Sequence, residues 1–157
     1  MNMKDDLYFM GQAYDQAMNA YSKGEIPVGA LIVNNQGAII SMAYNLKETS
    51  FNPCSHAEIL AIIEAGRINK NWRLTGHTLY VTLEPCPMCL AAAREARVKR
   101  MVFGAYDEKG GAISLGINIH QDKRLNHQYG VTGGVLHYQC SQILSKFLRK
   151  IYYSVHQ

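Results

Sequence analysis

The chain has 157 residues, 48% apolar and 18% charged, ordinary values for one soluble globular domain, residues 1–157, able to bury its own core. No apolar run approaches the roughly eighteen residues needed to cross a bilayer, which excludes a helical membrane span and predicts no membrane partner. A formal charge of +4 permits a polyanionic partner without arguing for one.

Lys4 to Ser22 reads as a helix, with Leu7, Met10, Tyr14, Ala17 and Tyr21 as its apolar stripe. Asp5 and Asp6 suit the positive end of its dipole and Gly24 its stop. This opening is no secretory signal, so a cytoplasmic protein is expected. Ala30 to Val33 and Ala38 to Tyr44 read as two strands joined by a turn, Asn34-Asn35-Gln36-Gly37. After a loop, His56 to about Ile68 reads as a helix with Ile59, Ile62, Ile63 and Ile68 buried. Thr78 to Leu83 is a strand, Cys86 to Val98 a helix entered through Pro85, and Arg100 to Ala105 another strand. The long stretch Tyr106 to Val131 lacks periodicity and predicts a functional loop. A short strand is expected over Val135 to Tyr138, then a helix from Cys140 to about Tyr152 whose outer side carries Lys146, Arg149 and Lys150. This order implies an α/β sandwich with helices on both faces of a mixed sheet.

Two short segments carry the chemistry: His56-Ala57-Glu58 and Glu84-Pro85-Cys86-Pro87-Met88-Cys89. Four cysteines are too few and too unevenly spaced for a disulfide framework, and a close pair points to metal or redox chemistry. In a helical turn, residues i and i+3 share a face, so both sulfurs of Cys86 and Cys89 can reach one ion. His56 supplies a third ligand, and a catalytic zinc site uses three protein ligands and keeps one position open. Glu58 is then the candidate base that takes a proton from the water at that open position. Two alternatives compete. Glu58 could complete a capping box with Ser55, and Cys54 could close the fourth metal position to give a purely structural site. Cys140 reads as a small buried residue.

The pairing of H-x-E with P-C-x-x-C resembles the cytidine deaminase superfamily. Further segments, Gly24-Glu25-Ile26-Pro27-Val28-Gly29-Ala30, Thr82 to Cys89, Phe103 to Ala112 with Ser114, and Leu125-Asn126-His127, are similar to its bacterial-type tRNA-specific adenosine deaminases. The resemblance spans nearly the whole chain. It implies a five-stranded sheet between helix layers, one zinc ion per chain, a homodimer, and a tRNA anticodon loop as partner, with wobble adenosine converted to inosine. It also implies Asn45, the Ala57 backbone and Val28 as contacts to the flipped base. Asp107 and Lys109 are implied at the anticodon backbone, and Phe147 and Arg149 on an RNA-facing part of the last helix. The chain departs from the family pattern at Gln128, where arginine is frequent, and at Cys54, where threonine or alanine is commoner. Two other readings stand beside this one: a deaminase of free guanine or cytosine, and a non-catalytic zinc module that binds RNA.

Overall fold

A computed structural model describes residues Asn2 to His156. The first helix, α1, covers Met3–Ser22 and is followed by strands β1, Gly29–Val33, and β2, Ile39–Tyr44. Then come α2, Ala57–Asn69, β3, Thr78–Leu83, α3, Pro87–Glu95, and β4, Arg100–Ala105. A short 3-10 turn at Ile119–Gln121, strand β5 at Gly130–Thr132 and helix α4 at His137–Val155 complete the described residues.

The five strands form one sheet in the order β2-β1-β3-β4-β5. Strand β1 runs antiparallel to both neighbours, whereas β3, β4 and β5 are parallel, so β2, β3 and β4 all end on the same edge. Both faces are covered. Alternation along the central strands splits the core in two, as a pleated strand requires. Ala30, Ile32, Leu79, Val81, Met101 and Phe103 point toward α2 and α3. Leu31, Val33, Tyr80 and Val102 point toward α1 and Cys140 of α4. This is the expected α/β/α sandwich with a five-stranded mixed sheet.

Helix α1 lies so close to β1 that a side chain at Gly29 would run into the backbone of Ala13 and Ala17. Its buried face differs from the expected stripe. Phe9, Met10, Ala13, Ala17 and Ala20 pack inward together with Asp6, while Leu7 faces out. The rotation follows from Asp6. Its carboxylate accepts a two-point bond from Arg100, at 2.9 Å and 2.7 Å, and another from the Tyr80 hydroxyl at 2.8 Å. The start of α1 is fixed by a capping box in which Asn2 and Asp5 bond each other's backbone, so Asp5 caps as well as complementing the dipole. Asp6→Ala would remove both carboxylate bonds from the Arg100 guanidinium and the acceptor that the Tyr80 hydroxyl meets at 2.8 Å. Because Arg100 keeps some solvent contact, the expected loss is about 2–3 kcal/mol by denaturant titration, below that of a fully buried pair. A loss under about 0.5 kcal/mol would remove this cluster from the account of the fold.

Three further expectations are corrected. Helix α2 buries Ala57, Glu58, Ala61 and Ala65; of the isoleucines, Ile59 is half-buried, Ile62 packs partly buried against this core, and Ile63 and Ile68 are exposed. Small side chains let it sit close to the sheet, where the Ser41 hydroxyl donates to the Ala61 carbonyl at 2.7 Å. The fifth strand is Gly130–Thr132 rather than 135–138, because Gly134 and Leu136 both take positive φ and turn the chain into α4. Helix α3 stops at Glu95, ahead of a left-handed Arg97, and does not reach Val98. No helix among the described residues is long and apolar enough to cross a membrane.

Candidate active site

The shared edge where β2, β3 and β4 end is also where α2 and α3 begin. Open α/β sheets bind their ligands outside such strand ends. Each helix is entered through a ligand residue: His56 is the N-cap of α2, and Cys86 the N-cap of α3, with Pro87 in its first turn. Neither N-cap side chain bonds the helix backbone, so both are free for other work, and two positive helix ends converge on the same point. Cys89, one turn into α3, is buried beneath them.

His56 Nδ1 lies 3.6 Å from Cys86 Sγ and 3.5 Å from Cys89 Sγ. Tetrahedral zinc, with bonds of about 2.05 Å to nitrogen and 2.3 Å to sulfur, separates a nitrogen and a sulfur ligand by about 3.6 Å. The three ligand atoms all lie within 4.8 Å of one another and so fit a single ion of this size. Their proton affinities agree. The Cys86 thiol is held down to about 4, first by a hydrogen bond from Cys89, while Cys89 is pushed up by the same bond and by burial. The pair thus keeps one proton between two sulfurs, which a divalent cation displaces. The imidazole of His56 is raised, chiefly by its bond to Cys86.

Cys54 is exposed and stands outside this group, so it does not close a fourth position. The capping reading of Glu58 also fails. Ser55 is not the N-cap, and its hydroxyl meets that of Ser50 at 2.9 Å instead. Glu58 is 4% exposed, and burial lifts its carboxyl to about 7.

One pocket opens beside the ligands. His56, Cys86 and Glu58 form its floor, and Ile26, Val28 and Leu83 form apolar walls. Asn45, Ala57 and Asp107 also line it. Of the residues singled out from the sequence, Val28, Asn45, Ala57, Glu58 and Asp107 therefore meet in one place. Lys109 is exposed on the adjoining loop, and its N–H donates to Asp107 Oδ1 at 3.1 Å. Gly110 N–H donates to the same oxygen at 3.0 Å, so Asp107 caps its own turn. Arg149 is exposed on α4. Phe147 is 3% exposed and packs edge-on to Tyr21 with ring centres 5.8 Å apart, a core position and not an outward-facing one.

Two buried carboxylates in the quoted segments had no role assigned from sequence. Glu84 accepts from Asp107 N–H at 2.8 Å, and from Ser114 N–H and hydroxyl at 2.7 Å each. It thereby pins the loop that carries Asp107 to the end of β3. Glu25 gathers the loop after β2 in the same manner. In the Leu125-Asn126-His127 segment, Asn126 is exposed and accepts from Arg94 of α3 at 3.0 Å, and half-buried His127 bonds the Val98 carbonyl at 2.8 Å. Gln128 bonds the Asp122 and Leu125 carbonyls and shapes that loop.

The family model for the cytidine and deoxycytidylate deaminase zinc-binding region matches residues 3–105. The chain is 48% identical over 149 residues to the tRNA-specific adenosine deaminase of Bacillus subtilis, covering 95% of this chain and 92% of that one. A solved structure from work on A-to-I editing by tRNA:A34 deaminases at the wobble position of transfer RNA superposes with a TM-score of 0.82. It is 36% identical, covering 87% of this chain and 99% of that one. The guanine deaminase of Bacillus subtilis is likewise 36% identical, with a TM-score of 0.59 over 74% of this chain and 69% of that one. With a matched region that includes all three zinc ligands, the chain belongs to the zinc-binding family of cytidine and deoxycytidylate deaminases.

Proposed function

We propose that this chain hydrolyses the exocyclic amine of adenosine at the wobble position of a tRNA anticodon, giving inosine and ammonia. The observation that carries the chemistry is Glu58, a buried carboxyl in the same pocket as His56 and Cys86. Zinc held by His56, Cys86 and Cys89 supplies Lewis acidity that makes water a nucleophile at neutral pH. Glu58 accepts the proton that water gives up and delivers it to a ring nitrogen as the carbon bearing the amine is attacked. It then carries the remaining proton to the amine, which departs as ammonia while the carbon–oxygen double bond forms. Water in and ammonia out balance the reaction. A carboxyl lifted to about 7 both takes and returns a proton at neutral pH.

Ile26, Val28 and Leu83 enclose the faces of a planar base, and Ala57, at the first position of α2, offers a backbone N–H to its edge. Asn45 supplies the pocket's one amide side chain. An unpaired loop nucleotide enters such a pocket at a cost of a few kcal/mol, less than for a base drawn out of a duplex. The relatives named for tRNA favour RNA as the substrate, with Lys109, exposed on the loop that carries Asp107, and Arg149, exposed on α4, as the candidate phosphate contacts. We read the working form as a cytoplasmic homodimer, because Ile63 and Ile68 give α2 an outer apolar face that its own core leaves uncovered.

The likeness to guanine deaminase keeps a free base as the competing substrate. Incubation with an anticodon stem-loop and, separately, with free guanine, cytosine and adenine separates the two. Inosine in the RNA is expected. Turnover of a free base with the RNA untouched would reject the proposal. If Lys109 and Arg149 meet phosphates, RNA affinity should fall steeply as salt rises. The variant Lys109→Ala/Arg149→Ala should flatten the log–log slope by about 2. An unchanged slope would take these two side chains out of the RNA footprint.

A further inference from the structure

Glu25 lies in the turn between α1 and β1 and has no exposed surface. An ionised carboxylate in that position needs a set of donors, and the set it has is informative. Thr49 N–H donates to Oε1 at 2.6 Å, Glu48 N–H donates to Oε2 at 3.2 Å, and the Asn45 side-chain amide donates to Oε2 at 3.5 Å. Bonds from Thr49 and Glu48 outweigh burial and hold this carboxyl below its ordinary range. The second hydrogen of the Asn45 amide goes to the Ile26 carbonyl at 3.3 Å, and its oxygen accepts from Lys47 N–H at 3.2 Å.

These partners leave the amide one orientation. Both groups facing Nδ2 only accept, and the group facing Oδ1 only donates, so a flipped amide would set oxygen against oxygen and N–H against N–H. Asn45 is itself 6% exposed and lines the pocket above Glu58. Glu25, Ile26 and Lys47 together therefore set the plane and the sense of the amide at the pocket wall. The same carboxylate ties down residues 48 and 49 of the loop leading to His56.

We infer that Glu25 is a positioning residue: its carboxylate fixes which atom of the Asn45 amide the pocket presents to the substrate. It touches no reacting atom and acts through Asn45. This rests on the reading of the pocket as a nucleobase site.

A double-mutant cycle on zinc-loaded protein tests it, using Glu25→Gln, Asn45→Ala and the combination, with an anticodon stem-loop as substrate. In Glu25→Gln the new amide puts N–H groups against Asn45 Nδ2 or a backbone N–H, so the Asn45 amide turns or withdraws. KM should rise about ten- to a hundred-fold with kcat changed far less, because Glu58 and the metal ligands are untouched. Glu25→Asp keeps the charge on a shorter arm and should recover part of the loss. In the Asn45→Ala background, Glu25→Gln should add less than about twofold to KM, since the residue it acts through is gone. Independent effects that multiply in the double variant would overturn the inference. So would loss of folding or of zinc in both Glu25 variants, because Glu25 would then support the loop itself and not the amide. Wild-type protein that leaves the stem-loop unchanged would instead overturn the functional reading, which keeps the two failures distinct.

Discussion

Glu58→Gln is expected to lower the rate of inosine formation by about 10²- to 10⁴-fold at saturating substrate, with zinc content unchanged. The amide has the size and shape of the carboxylate, so the packing of α2 against the sheet is kept. What is lost is the ability to take a proton from water and return it to nitrogen. No step of the hydrolysis proceeds without that transfer, and no other carboxylate lining the pocket is free to perform it. Glu84 has its oxygens committed to Asp107 and Ser114, and Asp107 caps its own turn. The melting temperature should hold or rise, since Glu58 is 4% exposed and an amide costs less to bury than an ionised carboxylate. Rate measured alongside zinc content and melting temperature separates lost chemistry from lost structure. A variant that retains a tenth of wild-type activity would show that the proton travels by another route.

Removal of the metal should have an effect as large by a different path. Cys86→Ser replaces a thiolate held near 4 with a hydroxyl that stays protonated, and two ligands remain. Zinc stoichiometry should fall well below one per chain and activity by more than about 10³-fold. Chelation of the wild type should do the same, with activity restored on adding zinc to the wild type and not to Cys86→Ser. The ion also ties the start of α2 to the start of α3, so stripping it should lower stability. At free zinc a thousand times its dissociation constant, linkage gives about 4 kcal/mol, seen as a lower melting temperature. Equal melting temperatures with and without metal would mean that the two helix starts hold together unaided.

The metal site was legible in the sequence because its parts are local. His56 and Glu58 are two residues apart and Cys86 and Cys89 three, and each pair opens a segment that reads as a helix. Strands β3 and β4 were legible for the same reason, with every residue but the last of β3 buried. What stayed hidden depends on distant partners. Glu25 meets Thr49 across 24 positions, and Glu84 meets Ser114 across 30, so nothing near either residue marks it as buried. The inner face of α1 was misplaced because Asp6 is a charged residue in an apolar stripe, explained only by Arg100 some 94 positions on. On α2, the isoleucines mark only part of the buried side: Ile62 packs against the core, Ile63 and Ile68 face out, and close contact with the sheet selects alanines for the innermost positions. Strand β5 has three residues, too few to show alternation. Asn126 and His127 carry part of the family resemblance, and only the structure shows their partners, Arg94 of α3 and the Val98 carbonyl.

Zinc K-edge absorption on the purified protein tests most directly whether His56, Cys86 and Cys89 hold an ion with one corner open. The expected shell is two sulfurs at about 2.3 Å and two lighter atoms at about 2.0–2.1 Å, unchanged in Cys54→Ala and reduced to one sulfur in Cys86→Ser. A third sulfur that disappears in Cys54→Ala would make the centre a sealed structural site and contradict the deaminase chemistry drawn from it.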